Sequence, residues 1–531
     1  MKRQFSFRSS LLCAVTALTA IGVMTGVAAA QTKLTAVMHA GVRTLDPVFT
    51  TGHITRNHAY MIYDTLLAQD ENFEPRPQMA DWTVSEDQLT WTFTLREGLT
   101  FHDGAPVTAE DAVSSLNRWA QRDKGGQMIL ERTASLKAKD ERTFVWTLTS
   151  PFGPMLAMLS KQSTLPTFIM PKRVAETPIT EAITDYTGSG PFRFMAADFR
   201  PGVSIAYEKF DAYVPRNEPA SNLAGGKVVN VDRVEWVTMP DAQTSLNALI
   251  AGEIDYMERV PVDMLPIIEQ EKTVVAEVRE PIGSMTMARM NFMHPPFDNK
   301  LIRQAALKAI SQEPLLAAMV GNPDYYKVCG AVLGCGMPLG SESGADTLIK
   351  GGGIEEAKAL LKQAGYDGTP VVLLHPTDVA TLSTQPVVVA QQLREAGFTV
   401  DLQSMDWQSV LARVVRREPP ADGGWNMYIT NWIVPESADP LSFMPLDGRG
   451  QKAFVGWPDD QQIEDLKAQY MSAASAEDQR AVAERIQTHA LDEVLLVPLG
   501  QFIFPQGRRD GLKNMIPSAV PVFWNMELAA E

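Results

Sequence analysis

The sequence predicts an α/β protein of two lobes joined by two chain crossings, with an extra α+β subdomain inserted in the first lobe. Three observations carry this. A chain of 531 residues is too long for one hydrophobic core. Apolar residues recur with period 2 in some stretches and at helical spacing in others, as expected of strands interleaved with helices. In residues 285–310, MTMARMNFMHPPFDNKLIRQAALKAI, strand-like alternation gives way to helical spacing across Pro295 and Pro296, which reads as a crossing between lobes.

From the N-terminus, Lys2, Arg3 and Arg8 precede an apolar run from Leu11 to Val27 that ends in three alanines. This predicts a secretory signal peptide over 1–30, cleaved before Gln31, and so a periplasmic mature protein. Leu11 and Leu12 stand where a lipoprotein signal needs small residues before Cys13. Residues 31–69 form the first segment of lobe I: the strand KLTAVM, the turn-rich HAGVRTLDPVFTTGHITRN, and a helix over AYMIYDTLL with Tyr60, Tyr63, Leu66 and Leu67 on one face.

Residues 70–188 read as the α+β subdomain. Trp91, Phe93 and Leu95 alternate in one strand and Phe144, Trp146 and Leu148 in another, with a helix capped by Thr108 between them. The second segment of lobe I, 189–288, holds a βαβ unit in which Asp241 caps a helix that Gly252 stops. Lobe II, 289–500, opens with a helix capped by Asp298 and continues through IEEAKALLKQAGYDG, TPVVLLH, PVVVAQQLREAGF and TVDLQSMDW as helix, strand, helix, strand. Two further helices lead to the apolar run VLLVPLGQFIF, read as the return crossing, and 501–531 complete lobe I.

Formal charge is −16, and loss of Lys2, Arg3 and Arg8 takes it to −19. Such a chain is a poor partner for nucleic acid or anionic membrane surfaces. No segment after the leader is long and apolar enough for a membrane span. Two cysteines follow the leader, Cys329 and Cys335. In an oxidising compartment they predict a short-loop disulfide, and with no histidine nearby a metal site is not expected. H-E-x-x-H, G-x-S-x-G, P-loop and Rossmann patterns are all absent, so no enzyme and no cofactor is expected.

A resemblance runs along nearly the whole mature chain in TLDP (44–47), YDTLL (63–67), LREGLTFHDGAPVTAEDAVSSLNR (95–118), GSGPFRF (188–194), IAGEIDYM (250–257), NFMHPPFDNKLIRQAALKAI (291–310) and AKALLKQAGYDG (357–368). The chain resembles bacterial extracellular solute-binding proteins of family 5, the dipeptide- and oligopeptide-binding receptors of ABC importers. The resemblance implies the periplasmic-binding-protein fold, with ligand enclosed by hinge closure. It also implies a monomer that takes a small-molecule or short-peptide ligand and serves an inner-membrane ABC permease. Because the family also carries opines, sugars and metal chelates, a non-peptide solute is the alternative, and a secreted hydrolase or periplasmic chaperone is the alternative of another class.

Three stretches match the family's ligand-contacting positions. In the loop 40–53, Ala40, Gly41, Thr51, Gly52 and His53 are candidates, with backbone N–H groups able to hold a carboxylate or carbonyl. Around 431–440, dipeptide receptors have Gly-Trp, an acid that pairs with the ligand's ammonium group, then Asp-Pro. This chain keeps Trp432 and Asp439-Pro440 but has Asn431 for the glycine and Pro435 for the acid, leaving Glu436 or Asp439 to replace it. The third set is aromatic, Trp407 and Trp425 with Trp432, able to stack on a ligand or to fill a core.

Overall fold

The computed structural model describes residues 31–529. The predicted signal peptide lies outside them. Two mixed sheets organise the described chain. The seven-stranded sheet runs Val274–Glu277, Gln506–Arg509, Tyr256–Met257, Lys33–Val37, Arg233–Val237, Ser204–Lys209, Phe192–Phe194, with Lys33–Val37 parallel to both its neighbours. The six-stranded sheet runs Tyr326–Lys327, Val497–Phe502, Ser284–Met290, Met427–Ile433, Val371–Pro376, Val400–Met405. This is the two-lobe architecture expected from the sequence. A separate four-stranded antiparallel sheet, Ala80–Val84, Thr90–Leu95, Thr143–Leu148 and Thr133–Ala138, forms the insert. Its alternating strands turn Trp91, Phe93, Phe144 and Trp146 inward, with Phe93 stacked on Phe144 at 5.0 Å.

Several helix ends follow directly from local chemistry. Thr108 and Asp111 form a capping box at the start of Ala109–Arg122. Asp241 caps Ala242–Ala251, which ends on left-handed Gly252. At Lys300–Ala309, however, the cap is Asn299 rather than the predicted Asp298: the Asn299 side chain accepts the Leu301 N–H. The first helix also departs from expectation. It runs His53–Ile62 and stops before Tyr63, because the GSGPFRF segment meets its end. Gly190 N–H donates to the Ile62 carbonyl at 2.9 Å, and a Cβ on Gly188 would stand 1.7 Å from that oxygen. Tyr63, Leu66 and Leu67 are buried in extended chain instead.

The stretch read as a crossing is itself part of the second sheet. Ser284–Met290 lies between Met427–Ile433 and Val497–Phe502, both antiparallel to it. Its alternation does not mark an open face, since Arg289 is fully buried and donates to the carbonyls of Pro445, Leu495 and Val455. The chain passes between the two sheets at 278–283 and again at 503–505. Cys329 and Cys335 are disulfide-bonded. Their loop hangs from the second lobe through Gln312, whose Oε1 accepts the Cys329 N–H, and Gln501, whose Oε1 accepts the Cys335 N–H.

Candidate functional site

Lobe I and lobe II meet at several places, among them Gly153, whose N–H donates to the Met471 carbonyl, Lys124 beside Asp447, and one compact set of polar side chains. His53 opens the first helix, and Arg56 follows one turn later on the same face. Opposite them, Met427–Ile433 runs out into a short 3-10 turn, Val434–Glu436, made by Pro435, which places Glu436 at the interface. Glu436 Oε1 accepts from His53 Nε2 at 2.8 Å and from Ser163 Oγ at 2.9 Å. Ser163 in turn accepts from Arg56 Nη1 at 2.6 Å. Ser163 is presented by a turn in which Thr164 and Leu165 are both left-handed, with φ of 51° and 61°, a conformation unfavourable for residues with a Cβ. The Trp119 indole N–H holds that turn through the Leu165 carbonyl.

The electrostatics are consistent with a carboxylate facing a neutral imidazole. Burial opposes ionisation of Glu436, but His53, Arg56 and Ser163 more than offset it and hold its carboxyl below the ordinary range. Burial, with help from Arg56, lowers His53 against the pull of Glu436. His53 is therefore the N–H donor of the pair at neutral pH. A second acid stands beside them: Glu258 accepts both the His39 backbone N–H, at 2.7 Å, and ring Nδ1, at 2.8 Å. Burial opposes its ionisation too, yet His39 and Arg259 keep Glu258 well below the usual range. The His39 and His53 rings are 6.4 Å apart, so the two acid–imidazole pairs adjoin.

Comparison with known sequences identifies the family. The model of the bacterial extracellular solute-binding proteins, family 5 (middle region), matches residues 74–454. The chain belongs to this family. A probable peptide ABC transporter periplasmic-binding protein of Sinorhizobium fredii is 40% identical over 508 residues, covering 95% of each chain. Among solved structures, the periplasmic binding protein DppA of Helicobacter pylori, in complex with the peptide STSA, superposes with a TM-score of 0.75 at 20% identity, covering 94% of this chain and 99% of that one. The binding protein AgaA of A. tumefaciens, in complex with agropinic acid, gives 0.73 at 22% identity over 94% and 99%. At such identities the structures speak for the fold alone.

Within this family 5 chain, the residues singled out by sequence divide into three groups. His53 and Glu436 are brought together across the lobes. Trp432 is half-buried, edge-on to Phe443 and Phe454 at 5.7 and 6.3 Å, and Asn431 is tied within lobe II to Thr381. The others serve packing or lie apart. Trp425 is fully buried with its indole N–H on the Val414 carbonyl, so it is a core residue and cannot face a solute. Trp407 begins a helix on lobe II, its N–H donating to Asp378. Asp439 is closed in its own turn, taking the Leu441 and Ser442 N–H groups and the Tyr470 hydroxyl; burial pushes it up to about 6. That turn, which the Asp-Pro sequence favours, removes Asp439 as an amine acceptor. Ala40, Thr51 and Gly52 are exposed, and Gly41 is needed for close packing, since a Cβ there would meet the Gly202 carbonyl oxygen at 2.6 Å.

Sequence reasoning missed His39, Arg56, Ser163 and Glu258. His39 and Arg56 lie in the turn-rich stretch 39–57, but the partner of Arg56 comes from the insert, and no local spacing joins them. Among the described residues, the group able to gather around a metal is Cys329, Cys335 and Glu342, and the disulfide occupies both sulfurs.

Proposed function

We propose that this protein is the periplasmic substrate-binding component of an ABC importer, capturing a peptide or peptide-like solute between its lobes and delivering it to an inner-membrane permease. It acts as a monomer, without catalysis, and its hinges are the crossings at 278–283 and 503–505. The observation that carries the reading is the contact of Glu436 in lobe II with His53 and Ser163 in lobe I. A carboxylate desolvated between two mobile bodies is at once a contact that forms on closure and an acceptor for a ligand's ammonium group. Glu436 then does the work of the acid that Pro435 displaced. No helix among the described residues is long and apolar enough to cross a membrane, in keeping with a receptor that moves freely to its permease.

Calorimetry against di- to tetrapeptides, opines and sugar conjugates tests the proposal, alongside native mass spectrometry of protein purified from its own periplasm. A one-to-one complex with a peptide-like solute, released unaltered, is the expected result. Product formation from the bound solute, or aggregation suppression without any stoichiometric complex, would overturn it.

A further inference from the structure

The Cys329–Cys335 disulfide closes a loop that touches two parts of the molecule on which solute capture depends, the turn bearing Glu436 and the first crossing. We propose that this loop positions Glu436 and the first crossing, and that reduction of its disulfide loosens both and weakens closure of the lobes. The inference rests on the two-lobe receptor reading and adds a redox control to it.

The contacts form a closed circuit. Gln501, on the strand that leads into the second crossing, accepts the Cys335 N–H at 2.7 Å and donates to the Ile282 carbonyl at 2.9 Å. A single side chain therefore joins the loop to the first crossing. Gly283, next along that crossing, accepts the Val434 N–H at 3.0 Å, and Val434 opens the turn Val434–Glu436. Gly334 completes the circuit: its backbone lies so close to the turn that a Cβ there would stand 2.4 Å from a Val434 methyl carbon and 3.3 Å from the Ser437 hydroxyl. Loop, crossing and turn fix one another, and Glu436 at the end of the turn is thereby held on His53 and Ser163.

The loop keeps this shape through three buried glutamines. Besides Gln501, Gln312 accepts the Cys329 N–H, and Gln487 accepts the Val332 N–H while donating to the Gly330 carbonyl. These bonds require one register of the loop backbone. Without the crosslink a segment containing Gly330 and left-handed Gly334 gains conformations, and ordering it again opposes closure. Cys329 is buried and Cys335 half-buried, so the Cys335 sulfur is the one a reductant reaches. A dithiol attacks it, forming a mixed disulfide and releasing the Cys329 thiolate. The second thiol of the reductant then displaces Cys335. Two electrons and two protons pass to the cysteine pair, and the dithiol leaves as its own disulfide.

The test compares the intact mature protein, oxidised and after dithiothreitol, with Gln501→Met, which keeps the disulfide and breaks the circuit. The first readout is the NMR titration of the His53 ring in ligand-free protein, assigned by its loss in His53→Gln. Burial holds His53 below its ordinary value, Glu436 pulls it up, and Arg56 and His39 also face it. Reduction and Gln501→Met should each move it up toward the ordinary value, and reoxidation of the reduced protein should return it. The second readout is calorimetry with di- to tetrapeptides: those that bind the oxidised protein should lose affinity roughly fivefold or more on reduction. A lowered urea midpoint with the His53 titration unmoved in both samples would overturn the proposal, because the disulfide would then only stabilise lobe II. Unchanged peptide affinity after reduction would overturn it as well. If reduction unfolds lobe II, the His53 titration of Gln501→Met decides. If no peptide binds, the receptor reading falls, while the His53 titration still decides whether the loop positions Glu436.

Discussion

Replacing Glu436 by glutamine should shift the balance between open and closed lobes without unfolding the protein. The carboxylate accepts two hydrogen bonds from lobe I, at 2.8 Å from His53 and 2.9 Å from Ser163, and Ser163 links it to the buried Arg56. Charge-assisted bonds of this kind are worth about 1.5–3 kcal/mol each. Glutamine keeps the volume and one neutral bond, and in the open state both sides recover water, so the net loss should be about 1–3 kcal/mol. That corresponds to a change of roughly 5- to 150-fold in the closed-to-open ratio. The direction with pH follows from the depressed carboxyl of Glu436. Its contribution is complete above the ordinary carboxylate value and is lost as pH falls through the lower closed-state value. Val203 in lobe I and Val415 in lobe II are 57% and 62% exposed and suit paired spin labels introduced as cysteines. Distance distributions of the ligand-free protein should lengthen in Glu436→Gln. Unchanged distances combined with a lowered unfolding midpoint would refute the argument, because Glu436 would then belong to a static core.

Three further outcomes are expected. Burial pushes His58 down to about 3, so the folded protein resists binding a proton that the unfolded chain takes up below about 6.5; stability is lost as pH falls through that window. Urea titrations at pH 7 and pH 4.5 should show His58→Gln losing about 2–3 kcal/mol less than wild type, and parallel losses would count against it. Trp425→Ala should cost about 3–5 kcal/mol of stability through the cavity it leaves, whereas Trp432→Ala, half-buried at the motif position, should keep the fold and weaken solute binding roughly tenfold. Thiol labelling of the denatured, unreduced mature protein should find no reactive cysteine, and Cys335→Ser should cost about 2 kcal/mol, the chain-entropy value for so short a loop.

Much of this molecule was legible without coordinates. Thr108, Asp241 and Gly252 mark helix ends because a cap or a left-handed residue acts on its own few neighbours. The insert's strands could be read from Trp91, Phe93, Phe144 and Trp146, since a half-buried sheet imposes period 2. The strand Ser284–Met290 misled for a related reason: polar residues such as Arg289 and Thr286 preserve alternation where both faces are buried, their partners being supplied by distant chain.

By itself the sequence determined the class, the two lobes and the family, because these rest on periodicity, length and motifs that each act over short stretches. It brought His53 and Glu436 forward as candidates, but not as partners. Only the tertiary structure decided that they meet, that Ser163 and Arg56 complete the contact, that Asp439 is spent on its own turn, and that Trp425 is core. The physical reason is that desolvation and pairing depend on what stands within a few ångströms, and here those neighbours come from chain separated by 383 residues between His53 and Glu436 and by 273 between Ser163 and Glu436.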